Sequence, residues 1–120
     1  MTLLLDTERL EVVLSPIERA LAFRRGNIQV ERSQIAKVML TDDAWIWLRG
    51  VPSPATTVPS VVAIGTWKSG SGFDFAVIRA RRPSVVIDLE GHDDYQRLLV
   101  TTRHGLELVR ALRLDADTDS

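Results

Sequence analysis

A chain of 120 residues, 45 % of them apolar and with a formal net charge of −1, can bury one core but has no accumulated basic surface for a phosphate backbone. A dedicated nucleic-acid binder is therefore excluded, and the lack of cysteine excludes disulfides, thiolate metal sites and cysteine nucleophiles, in keeping with a reducing, cytoplasmic setting. The opening run from Met1 to Val13 meets Asp6 and Glu8 directly after three leucines, so it reads as neither a signal peptide nor a membrane span.

Arg9 to Leu14 alternates loosely and is β-rich at Val12-Val13, which predicts a first strand. Ser15-Pro16-Ile17-Glu18 is a helix start: serine caps, proline fits the first helical position, and Glu18 falls where a capping-box carboxylate reaches back. A short helix to about Phe23 is expected, burying Ile17 and Leu21 with Phe23 at its margin. Gly26 ends it, and Ile28-Gln29-Val30 begins a second strand with Gln29 turned away. After a brief connection at Ser33 to Ile35, Ala36 to Thr41 reads as a third strand, with Val38 and Leu40 opposite Lys37 and Met39. The segment from Ala44 to Gly50 stays open between strand and helical turn, because Trp45 and Trp47 share a face only if extended.

Gly50 to Ser60 holds three prolines and no apolar periodicity, which predicts a loop. It is longer than the usual connection of about 4–6 residues, and that length alone makes it a candidate functional loop. Val61 to Gly91 then reads as a meander of antiparallel strands: Val61 to Trp67, Phe73 to Arg79 and Ser84 to Leu89, joined by turns at Lys68 to Gly72 and Ala80 to Pro83. Phe73, Phe75 and Val77 share one side of their strand, with Asp74, Ala76 and Ile78 on the other. Val85, Ile87 and Leu89 face the core, leaving Val86 and Asp88 outward. A covered Asp88 would need Arg79 or Arg97 as a partner. Tyr95 to Thr102 is a last strand, and Arg103 to Leu114 a helix with an apolar stripe of Gly105, Leu108, Val109 and Leu112. Residues 115–120 carry three aspartates and no base and read as an acidic disordered tail; the preceding 114 residues sum to +2.

Six or seven strands, an early short helix and a C-terminal capping helix describe a single domain over residues 1–114 that resembles a pleckstrin-homology-like (PH-like) barrel or sandwich. The run Leu48-Arg49-Gly50, the proline-rich stretch, Val62-Ala63-Ile64-Gly65-Thr66-Trp67, Gly72-Phe73-Asp74-Phe75 and Pro83-Ser84-Val85-Val86-Ile87-Asp88-Leu89 are similar to small bacterial PH-like domains of a kind common in actinobacteria. The resemblance implies a scaffold for protein or ligand binding, and fold likeness does not carry function with it.

The residues themselves offer few constellations. His92 and His104 lie twelve positions apart with no thiol and no histidine one turn away, so no metal site is assigned. Ser71 between Gly70 and Gly72 sits in a turn chosen for permissive φ angles, and the pairs Asp42-Asp43 and Asp93-Asp94 point to opposite faces. No catalytic residue and no cofactor follow, and the chain is read as a non-enzymatic interaction module. Its expected surface is the 44–60 segment, with Trp45, Trp47, Thr56 and Thr57, binding a protein partner or a second copy. The strand from Phe73 to Arg79, lacking proline, offers an edge for homo-oligomer pairing. The alternative is an anionic small molecule or lipid headgroup at the basic turn of Arg79, Arg81 and Arg82. Lys68 falls at the opposite end of that hairpin and cannot share a phosphate with Arg79.

Overall fold

A computed structural model of the chain describes residues 1–118 and the side chains of 1–113. Nine strands form two separate hydrogen-bonded sheets rather than a closed barrel. The smaller sheet contains β1 (Thr2–Leu5), β2 (Arg9–Val13) and β3 (Ile28–Glu31), all antiparallel, with helix α1 (Pro16–Leu21) inserted between β2 and β3. The larger sheet contains β4 (Ile35–Thr41), β5 (Val51–Val58), β6 (Val62–Ser69), β7 (Gly72–Arg79), β8 (Ser84–Leu89) and β9 (Arg97–Thr101), in the order β4-β8-β9-β7-β6-β5. Helix α2 (Gly105–Thr118) closes the chain and packs on β4 and β8. It continues past Leu114, through part of the segment expected as a tail; Asp119 and Ser120 lie outside the described residues. No helix among the described residues is long and apolar enough to cross a membrane.

Two apolar layers flank the larger sheet. On one face Ile64, Phe75, Ile87, Leu98 and Val100 meet Leu10, Val12 and Val30 of the smaller sheet and Leu108, Val109 and Leu112 of α2. On the other, Ala63, Trp67, Ala76, Ile78, Val86 and Leu99 are covered by a single 3-10 turn, Ala44–Trp47, through Trp45, Trp47 and Leu48. Strands β7, β8 and β9 are therefore buried on both faces, so Val86 is core and not outward as expected. The signal is in the residues: Ala76, Ile78, Val86 and Leu99 give both faces apolar side chains, which is the composition of a doubly covered strand.

Four further expectations are corrected. The meander is broken, because β9 lies between β7 and β8, antiparallel to β8 and parallel to β7, so the sheet is not wholly antiparallel. Leu98, Leu99 and Val100 are all fully buried, and only the centre of the sheet covers both their faces. With partners on both sides, β7 offers no free edge for self-pairing. The proline-rich stretch is an edge strand, β5, not a loop. It needs hydrogen bonds on one side alone, so prolines lacking an N–H are tolerated there, and its register slips between Pro52 and Ala55. Finally, α1 has the expected capping box, with the Glu18 N–H donating to Ser15 Oγ (3.2 Å) and the Ser15 N–H to Glu18 Oε1 (2.9 Å). Yet of the expected apolar residues only Leu21 packs on the core: Ile17 is 71 % exposed and Phe23, just beyond the helix, 65 %, while Glu18 is wholly buried. Strand β1, at the leucine run, has no counterpart in the sequence reading.

The approach of β5 to β6 depends on Gly65, whose φ is +141° and where an added Cβ would lie 2.5 Å from the Ala55 Cα. Gly65→Ala is expected to destabilise the fold by about 2–4 kcal/mol, through backbone strain and the collision with β5. Urea denaturation followed by tryptophan fluorescence checks this; an unchanged midpoint would mean that β5 moves away at no cost.

Candidate anion-binding cleft

One end of the larger sheet gathers the end of β7, the Ala80 to Pro83 turn, the start of β8 and the end of β9. Their register fixes the arrangement, with Val62 opposite Arg79 and Ser84 opposite Thr101. Pro83 limits the turn before β8, and the Thr101 hydroxyl holds the strands together. It accepts from the Arg79 N–H at 3.1 Å and shares a hydrogen bond with Ser84 Oγ at 2.9 Å. Beyond Thr101 the chain turns into α2, with Thr102 Oγ1 accepting from the His104 N–H.

These segments enclose an open cleft of about 560 Å³ lined by Met1, Arg79, Arg82, Pro83, Thr101, Thr102, Arg103 and His104. Behind two of these, Met1 and Arg79, lies Glu18, whose carboxylate receives the Met1 amine at 2.8 Å, the Ser15 N–H at 2.9 Å and Arg79 Nη2 at 3.0 Å. Burial pushes this carboxyl up, but the amine, the Ser15 N–H and Arg79 outweigh it and hold it down at about 2. One carboxylate thus answers two cations, and the cleft keeps an excess of positive charge. Arg82 and Arg103 are exposed and have no ion-pair partner among the described residues. His104 Nδ1 meets Glu107 at 3.1 Å. A larger groove of about 750 Å³ runs beside β4 and α2, but Glu8 and Glu31 there oppose Arg32, Lys37 and Arg113, so it has no strong preference of charge.

The structure divides the residues of the predicted basic turn. Arg79 and Arg82 line the cleft, whereas Arg81 turns away to Asp43 (3.5 Å) and Ser60 Oγ (3.2 Å). Arg103, His104, Thr101 and Thr102 were not assigned to a site from the sequence, since they stand some twenty residues further along. Nothing local marks them. Lys68 sits at the far end of the β6–β7 hairpin, opposite Phe73, as its spacing requires.

The 44–60 residues are placed differently. Trp45 donates its indole N–H to the Ala80 carbonyl at 2.8 Å, and so supports the basic turn from behind. Trp47 donates to Thr41 Oγ1 at 3.1 Å and lies under the Arg97 guanidinium. Both rings face the sheet. Thr56 donates to the Leu21 carbonyl at 2.7 Å, tying β5 to α1, and Thr57 is exposed. The same covering segment carries Arg49, which grips the buried Asp74 with two hydrogen bonds, at 2.8 and 3.2 Å. Asp74 begins a cross-strand row, Asp74–Arg97–Asp88–Lys37, of alternating sign. Asp88 and Arg97 are 2.6 Å apart, so the arginine partner considered for a covered Asp88 is Arg97 and not Arg79.

The remaining polar candidates serve the fold. His92 Nδ1 accepts from the N–H groups of Asp94 and Tyr95, so its Nε2 is the atom that donates to the Gln29 carbonyl, at 2.9 Å. Ser71 Oγ meets Ser69 Oγ at the hairpin tip. Among the described residues no group of three or more His, Asp or Glu side chains converges as a metal site. No family model, curated protein or solved structure matches this chain.

Glu18 makes the stability of this end pH-dependent. Its folded pKa lies below the ordinary glutamate value of about 4.3, so its contribution is present above that pH and is lost as pH falls toward about 2. Glu18→Gln, which leaves the amine and Arg79 uncompensated, is expected to cost about 3 kcal/mol at neutral pH. The gap between variant and wild type should close between those two pH values. Denaturation midpoints across an acid series measure it, and a gap that stays constant would show that the carboxylate charge contributes nothing.

Proposed function

We propose that the protein is a non-enzymatic binding module whose cleft takes an anionic group of the phosphate type, on a small molecule or a lipid headgroup. The observation that carries this reading is the convergence of Arg79, Arg82 and Arg103 on one cleft with the Thr101 and Thr102 hydroxyls, while Glu18 is already answered by two cations. Guanidinium groups match phosphate oxygens with paired donors, and the Thr102 hydroxyl, which accepts from the His104 N–H, adds a neutral one. The PH-like resemblance belongs to the same proposal; an early short helix and a closing α2 beside a β core are what favour it.

The 44–60 segment supports a second reading, association with a protein partner or a second copy. What favours it is the exposure of Ile46, Val51 and Val58, which the inward-facing Trp45 and Trp47 leave as the apolar contacts available there. Ile46→Asp should then lower the mass found by light scattering at tens of micromolar; a wild-type monomer would remove the self-association form.

Inorganic phosphate and pyrophosphate test the first reading. Each should raise the melting temperature by mass action, and less so as salt increases. Arg82→Ala with Arg103→Ala should abolish the rise, while Arg81→Ala, outside the cleft, should retain it. A rise of equal size in the double variant would overturn the assignment.

A further inference from the structure

Around the cleft the structure holds a second feature that anion binding alone does not use. Helix α1 buries its acid and exposes Ile17 while Leu21 packs on the core, and Phe23 beyond it is exposed as well. Phe23 stands just beyond the helix with a φ of +56°, a backbone region unfavourable for a bulky aromatic residue. Across from α1, the turn between β5 and β6 presents Val58 and Val61, both exposed, where a turn is ordinarily polar. Ile17, Val58 and Val61 are tied to the cleft. Glu18, next to Ile17, binds Arg79; the Val61 carbonyl accepts from the Ala80 N–H at 2.8 Å; and Thr56 joins β5 to the end of α1.

We infer that this end of the molecule docks onto an anionic lipid bilayer, with the cleft holding a headgroup while Ile17, Val58 and Val61 enter the interfacial layer. The inference rests on the anion-binding reading and names the source of the anion. Charge complementarity selects a bilayer over a dissolved ligand or a second copy. Arg82 and Arg103 are exposed without an ion-pair partner among the described residues, beside Arg79 and the Met1 amine; of the acids at that end, Asp43 is paired with Arg81 and Glu107 hydrogen-bonds His104, while Asp42 is exposed. Glu90, Asp93 and Asp94 are exposed in the connection between β8 and β9, at the opposite end of the sheet. The charge distribution therefore orients the cleft toward a negative surface, and apolar tips beside bases are the combination that an interfacial site needs. A dissolved phosphate would use the arginines and leave the three apolar side chains in water.

Flotation with vesicles of phosphatidylcholine alone, and with about 30 % phosphatidylglycerol added, tests this with the full chain. Binding should be at least about tenfold stronger to the anionic vesicles and should fall with salt. It should drop about tenfold in Ile17→Ser with Val61→Ser, a variant of exposed residues that keeps the wild-type melting temperature and its rise with phosphate. Arg82→Ala with Arg103→Ala should lose both vesicle binding and the phosphate response. A phosphate response without vesicle binding overturns the bilayer proposal and leaves the anion reading standing; loss of the phosphate response in wild type fails that reading separately. Vesicle binding unaffected by the Ile17 and Val61 changes also overturns insertion. So does light scattering in which those changes convert an oligomer to a monomer, since the patch would then be an interface between copies.

Discussion

The carboxylate of Glu18 is withdrawn from water and can stay ionised only because three donors from separate places reach it: the Met1 amine, the Ser15 N–H and the Arg79 guanidinium. A buried charge must be answered or neutralised. Satisfying this one joins the start of β1, the first turn of α1 and the end of β7, which belong to different sheets. The cleft inherits its form from that junction, since Met1 and Arg79 are both wall and partner. The outward face of α1 follows as well. A helix of six residues that turns its glutamate inward must turn Ile17 outward.

The larger sheet solves a related problem on its other face. Asp74, Arg97 and Asp88 sit side by side on three adjacent strands in a layer that also contains Trp67, Ile78 and Leu99. Alternation of sign keeps the row neutral, and the segment from Ala44 to Arg49 seals it, with Trp47 against Arg97 and Arg49 on Asp74. The placement of β9 between β7 and β8 sets its guanidinium between two carboxylates. Covering that face spends the tryptophans on structure, and the surface available for recognition moves to the end of the sheet, where Trp45 braces Ala80 from behind.

Charge and apolar exposure meet at that end. Arg79 is committed to Glu18 and Arg81 to Asp43, whereas Arg82 and Arg103 face solvent beside Thr101 and Thr102. The cleft is tied to α1 through Glu18 and Arg79, and to the β5–β6 turn through the Ala80 N–H and the Val61 carbonyl.

The sequence by itself determined the local structure: the capping box at Ser15 and Glu18, the hairpin of β6 and β7, the apolar stripe of α2, the wet side of Gln29 and the polar turn at His92. Each depends on contacts within a few residues, and spacing and side-chain type suffice to read them. Only the tertiary structure decided the rest. Pro52 and Pro54 argue for a loop until β5 is placed at an edge, where one side of the strand needs no partner. Val86 points outward until the 3-10 turn covers it, β8 and β7 look adjacent until β9 comes between them, and Ile17 belongs to the core until Glu18 claims the inside of α1. Of the cleft, Arg79 and Arg82 were legible as a basic turn, but Met1, Thr101 and Arg103 join them only through strand register and a buried carboxylate. These are relations between distant segments, set by which faces and charges must leave water together, and no local pattern encodes them.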